Sequence, residues 1–142
     1  MIDENLWEVN APLKARGLRM DHRMTVVRLT SGELLIHSPI EYTDALREVL
    51  LELGTPKWFV APSRYHDMFW PKWFGAFPQA RFVTVPGMRE EHPDLPFSDL
   101  LTETSNFWDG ELTPIPIRGM PRINEYVFLH FASRSLIVAD LI

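Results

Sequence analysis

Apolar residues fall in short runs along this chain, and the period of each run predicts an element. Leu6, Trp7 and Val9 alternate with polar neighbours over residues 5–9 and predict a short first strand, followed by a turn-rich stretch over 11–22 that contains Pro12 and Gly17. Two aliphatic runs, 24–29 (MTVVRL) and 34–37 (LLIH), flank Thr30-Ser31-Gly32-Glu33 and predict a hairpin of two largely buried strands. A helix follows. Ser38-Pro39-Ile40-Glu41 has the form of a capping box with proline at the first helical position, and Thr43 is a rival cap. With either start, Ala45, Leu46, Val49, Leu50 and Leu53 share one helical face, and Gly54 is expected to end the helix in a left-handed conformation.

Pro56 resets the chain before a strand over Lys57–Ala61. The aromatic and proline-rich run 68–78 (MFWPKWFGAFP) predicts a short, broken helix capping the core. Residues 80–84 (ARFVT) read as a strand, 86–96 as a polar turn with one helical turn inside it, and 98–110 carry no clear signal. Three further strands are expected over 112–117, 125–131 and 135–142, the last two joined by Ala132-Ser133-Arg134. The order predicts a layered α/β domain, a mixed sheet with helices on a face. The last strand ends on Leu141-Ile142 without a polar tail, and it is expected either to lie centrally or to meet another chain.

Composition narrows the class. At 142 residues the chain reads as a single domain, 1–142, able to bury a core without staples. Its apolar fraction of 46% and charged fraction of 23% argue against disorder and coiled coil. No apolar stretch is long enough to cross a membrane and the N-terminus lacks a signal pattern, so a soluble, cytoplasmic protein is expected. The absence of cysteine excludes disulfides, thiolate metal sites and thiol nucleophiles. A net charge of -5 with no basic stripe argues against nucleic-acid binding.

The stretch 61–69 (APSRYHDMF) delivers Arg64, Tyr65, His66 and Asp67 directly after an apolar run, as strand ends present chemical groups. With LLIHSPI at 34–40, FPQARFVTVPG at 77–87, GMPRINEYVFLH at 119–130 and SLIVADL at 135–141, it resembles the metallo-β-lactamase-like superfamily, and more narrowly an uncharacterised bacterial family within it. The resemblance implies an αββα sandwich, here shortened, with a metal site at one edge. That site is built from H-x-H-x-D-H after a strand, a later histidine and an aspartate ending another strand. Carried over residue by residue, Pro62 and Arg64 stand where the first two histidines would be, His66 where the aspartate would be, and Asp67 where the last histidine would be. The later histidine falls near Met120, and Asp140 matches the closing aspartate.

What survives is a degenerate set. His66, Asp67 and Asp140, with Glu125 nearby, would offer one divalent ion an oxygen-rich site suited to Mg, Mn or Fe rather than zinc. Arg64 argues against such an ion. At about 4 Å and an effective dielectric of about 20, its guanidinium opposes each unit of cationic charge by roughly 4 kcal/mol, while its fork suits carboxylates such as Asp67 or Asp140. The expected state is therefore a metal-free, non-catalytic domain. Arg64, His66, Asp67, Glu125 and Asp140 line its former active-site edge and bind a small molecule or a partner. Two alternatives stay open: a hydrolase using one metal ion, to which His37 could contribute, and a structural domain. In the second, the aromatic cluster Phe69, Trp70, Trp73, Phe74 and Phe77 and the last strand make a homodimer.

His37 otherwise reads as a satisfied strand-end group, and Glu125 as a buried carboxylate paired with Arg118 or Arg122. His92 and His130 read as surface residues. Ser63 lacks the glycine-flanked turn of a serine nucleophile.

Overall fold

Strand pairing at the N-terminus extends well beyond the alternation of residues 5–9. The computed structural model describes residues 4–15, 18–102 and 104–139. In it β1 (Leu6–Ala15) and β2 (Leu18–Arg28) pair antiparallel from Leu6 opposite Val27 to Ala15 opposite Leu18. The stretch expected as turn is thus mostly strand. Pro12 is accommodated because β1 is the outermost strand of its sheet, where a missing N–H interrupts only one ladder.

β3 (Glu33–His37) runs antiparallel to β2, with Thr25 opposite His37, closing the predicted hairpin. The chain then crosses through α1 (Asp44–Leu53) into β4 (Thr55–Val60), which lies parallel to β3. Of the two candidate caps, Thr43 is the one used. Its hydroxyl accepts the Leu46 N–H at 3.1 Å in the geometry favoured at helix starts. Gly54 is extended rather than left-handed, with φ 168°. Close approach requires the glycine, since a Cβ there would stand 2.5 Å from the Gly32 carbonyl oxygen. On α1, Leu50 is buried and Leu46 and Leu53 partly so, while Val49 and Ala45 face outward.

β5 (Arg81–Thr84) and a two-residue β6 (Asp99–Leu100) extend the sheet in parallel, giving the order β1-β2-β3-β4-β5-β6. α2 (Trp70–Ala76) and the single turn α3 (Met88–Glu91) connect them. A second, antiparallel sheet holds β7 (Leu112–Pro116), β8 (Tyr126–His130) and β9 (Ser135–Ile137). β9 is shorter than the strand expected over 135–142, and its last positions, Asp140 included, lie outside the described residues.

The large sheet buries both faces. Leu35, Val60, Val83, Trp108 and Phe128 join the two sheets, while Ile36, Leu50, Phe59, Trp70, Trp73 and Met88 fill the space beneath the helices. The expected mixed, layered sandwich is what forms: helices, sheet, sheet. Trp70 and Trp73 are core residues, as the aromatic run implied. No helix among the described residues is long and apolar enough to cross a membrane. Because β3, β4, β5 and β6 are parallel, their C-terminal ends share one edge, where open sheets of this kind bind ligands.

Candidate functional site

Three loops meet at that edge. The segment after β4, 61–69, carries the candidate residues, and the segment after β5 supplies α3 and His92. A third loop, 117–125, leads into β8. Backbone hydrogen bonds tie them together: Arg64 N–H donates to the Ile123 carbonyl at 2.8 Å and Tyr126 N–H to the Pro62 carbonyl at 2.8 Å. The Asn124 side chain donates to the Pro86 carbonyl at 2.9 Å. A rim held this way fixes where each side chain points.

Arg64 takes a partner the sequence did not suggest. Its guanidinium pairs with Glu91 at the end of α3, and Nη1 donates to the Pro121 carbonyl at 3.0 Å. Asp67, one of the two carboxylates expected to receive it, pairs instead with His92, whose Nε2 lies 2.9 Å from Oδ2. An ion pair and an adjacent imidazole–carboxylate contact therefore stitch the β4 loop to α3. His92, assigned no role from sequence, is one of the four groups that do so.

Gly87 makes the Arg64 placement sterically feasible. It has φ +100°, and a Cβ there would come within 2.9 Å of both Cδ and Nε of Arg64. Gly87→Ala should combine left-handed strain with eviction of the guanidinium and destabilise by about 1–3 kcal/mol. A thermodynamic cycle with Arg64→Ala checks the cause: the alanine should cost clearly less once the arginine is gone, and equal costs would exclude the contact.

His66 is fixed through its neighbours. Its Nδ1 lies 2.7 Å from Ser63 Oγ, its N–H donates to the Ser63 carbonyl, and its own carbonyl accepts the Trp70 indole N–H at 2.8 Å. Its ring meets the edge of His22, with centroids 6.1 Å apart, and His22 in turn stacks on Phe69. His22 lies on β2 in the stretch expected as turn, so its membership of this cluster was missed.

His37, at the end of β3, is 2% exposed, and neither of its ring nitrogens has a hydrogen-bond partner among the described residues. Burial first, and then the neighbouring His66 and His22, push its pKa down from the usual 6.5 to about 3, so it is a neutral imidazole in ordinary conditions. The reading of His37 as a satisfied group is overturned. Glu125 is fully buried, and its Oε2 accepts the Ala139 N–H at 2.9 Å. His130 is buried, not superficial, with Nδ1 2.6 Å from Ser133 Oγ.

These contacts test whether the residues fit the metal implied by the resemblance. Asp67 is engaged by His92, His66 Nδ1 by Ser63, and Glu125 by a backbone N–H, while Arg64 brings a permanent positive charge to the same loop. Among the described residues no three His, Asp or Glu side chains are grouped so as to hold an ion. Three protein ligands are what a catalytic zinc takes, so the described donor set does not fit one. Asp140 lies outside the described residues.

No protein-family model matches the chain. No curated protein matches it either. Solved structures do match. The DIM-1 metallo-β-lactamase exposed to ceftazidime superposes with a TM-score of 0.75 at 16% identity, covering 96% of this chain and 66% of the other. VMB-1 gives 0.74 at 13% identity, covering 96% and 66%. A metallo-β-lactamase from Pontibacter korlensis gives 0.71 at 13% identity, covering 96% and 67%. The chain thus spans about two thirds of the length of these structures. Nearly its whole length superposes on theirs, in the two-sheet layering described above, and the chain has the metallo-β-lactamase-like fold.

Proposed function

We propose that this chain is a degenerate metallo-β-lactamase-like domain that carries out no metal-dependent hydrolysis and uses its former active-site edge to bind a small molecule or a partner. The observation that carries the reading is the pairing of Arg64 with Glu91 and of Asp67 with His92. Together they place a fixed cation and a committed carboxylate on the loop that would otherwise offer ligands. A divalent ion would have to displace His92 from Asp67 and stand near the guanidinium. Both steps oppose binding by an oxygen-rich site. Binding at this edge is supported by Tyr65 and Met68, which are 47% and 39% exposed on the same loop and present an aromatic and a thioether surface to solvent.

Elemental analysis tests the reading. Protein prepared without chelators and then incubated with zinc, manganese or iron should carry well under one equivalent of each after desalting. One equivalent that disappears in His66→Ala would replace this reading with the hydrolase. Arg64→His, which removes the fixed charge and adds a donor, should raise the metal content if the guanidinium is what keeps ions out.

A further inference from the structure

We infer that Ser38 and His22 form a metal-independent acyl-transfer pair, with Ser38 Oγ as nucleophile, His22 Nε2 as its base, and esters of small carboxylic acids as the substrate class. This goes beyond the binding role proposed above and rests on it in one respect: the edge must admit a small molecule.

The backbone points to Ser38 first. It follows β3 directly and has φ +57°, a left-handed conformation that a residue with a Cβ adopts only at a cost of about 1–2 kcal/mol. Such strain persists where the surroundings enforce it, and it gathers at functional sites. Here both flanks are pinned: Ser38 N–H donates to the Val60 carbonyl at 2.9 Å, and the Ile40 carbonyl accepts the Trp73 indole N–H at 2.8 Å. A serine on a strained turn between a strand and the next helix is also how α/β-hydrolases present their nucleophile, although this chain has no glycines around it.

The base is in place. Ser38 Oγ and His22 Nε2 are 3.0 Å apart, within the reach expected of a nucleophile and its base. The imidazole is held by Phe69, stacked at 5.9 Å, and by the edge of His66, itself fixed by Ser63. His37, the residue before the serine, is kept neutral by burial and adds no positive charge beside the pair. The base role requires the His22 tautomer protonated on Nδ1, which leaves Nε2 to accept from the hydroxyl.

The chemistry balances with water as the only co-reactant. Ser38 Oγ attacks the ester carbonyl carbon as its proton passes to His22 Nε2. The bond from carbon to the leaving oxygen breaks, and His22 delivers that proton to the departing alcohol. Water then attacks the Ser38 acyl ester and gives a proton to His22. The carboxylic acid leaves as Ser38 Oγ takes the proton back. Ser38 is only 2% exposed, which limits the substrate to short acyl chains.

Full-length protein treated with chelator and exposed to p-nitrophenyl acetate or a fluorophosphonate should gain one adduct, located on Ser38 by peptide mass spectrometry. Ser38→Gly suits the positive φ and should fold at least as well, yet lose the adduct entirely. His22→Asn should slow acylation by about 100-fold or more while leaving the melting curve nearly unchanged. Absence of an adduct, an adduct elsewhere, or equal labelling of Ser38→Gly would overturn the proposal. Because every arm runs in chelator, these outcomes are independent of whether the metal reading stands.

Discussion

Trp73→Ala is expected to lower folding stability by about 3–5 kcal/mol, the range for emptying a large aromatic site in a packed interior. Trp73 has no exposed surface and packs against Tyr42, Phe59 and Phe77, with ring centroids 5.1, 5.4 and 6.2 Å away. Its indole N–H also satisfies the Ile40 carbonyl, so the truncation leaves both a cavity and an unpaired buried acceptor. Domains of this kind have about 5–15 kcal/mol in total, so the variant should lose about a fifth or more of its stability. Urea unfolding monitored by far-ultraviolet circular dichroism gives the value directly. A loss below about 1 kcal/mol would mean that α2 does not hold the core as described.

The second large effect is acid sensitivity seated in His37. A buried imidazole held near pKa 3 remains unprotonated in the folded protein, whereas in the unfolded chain it titrates near the usual 6.5. The unfolded state therefore binds a proton that the folded state refuses. This contribution is absent above pH 6.5 and destabilises progressively as the pH falls from 6.5 toward 3. Across that whole window, at about 1.4 kcal/mol per pH unit, it reaches about 5 kcal/mol. By pH 4.5 the loss should be roughly 3 kcal/mol. His37→Leu keeps an apolar group of similar size and removes the titration, so its stability should vary less between pH 7 and 4.5 by that amount. Parallel pH profiles for the two proteins would show that His37 is not the seat of the effect.

Much of this architecture is legible in the residues because burial writes a local period. The runs 34–37, 57–61, 80–84 and 125–131 are short, apolar and bounded by turn residues, and each overlaps the strand that forms. The helix over 44–53 is legible for the same reason, down to its rival cap at Thr43. What local patterns conceal is set by tertiary contact. The stretch 11–22 carries turn-forming residues, yet pairing along the edge of a sheet overrides them and puts His22 on a strand. Ser38 has the chemistry of a cap but is held by Val60 and His22 in a conformation that no capping box uses. Gly54 answers to the Gly32 carbonyl, a contact twenty-two positions away in sequence.

The site divides in the same way. Arg64, His66 and Asp67 are recognisable as a group because they crowd the end of one strand. Their partners Glu91 and His92 sit about twenty-five positions later on a single helical turn, and ion pairing across loops leaves no periodic trace. The same limit hid His37, whose unmet ring nitrogens follow from the packing of Phe128 and the neighbouring imidazoles rather than from anything in LLIHSPI.

Thermal unfolding with zinc and with chelator tests the central claim most directly, because any ion bound only by the folded chain must raise the melting temperature. With Arg64 and Asp67 already paired, the two curves should coincide within about 1 °C, since even 1 kcal/mol of binding would separate them by about 2–8 °C in a chain of this size. A zinc-dependent rise of several degrees, abolished by His66→Ala, would contradict the account.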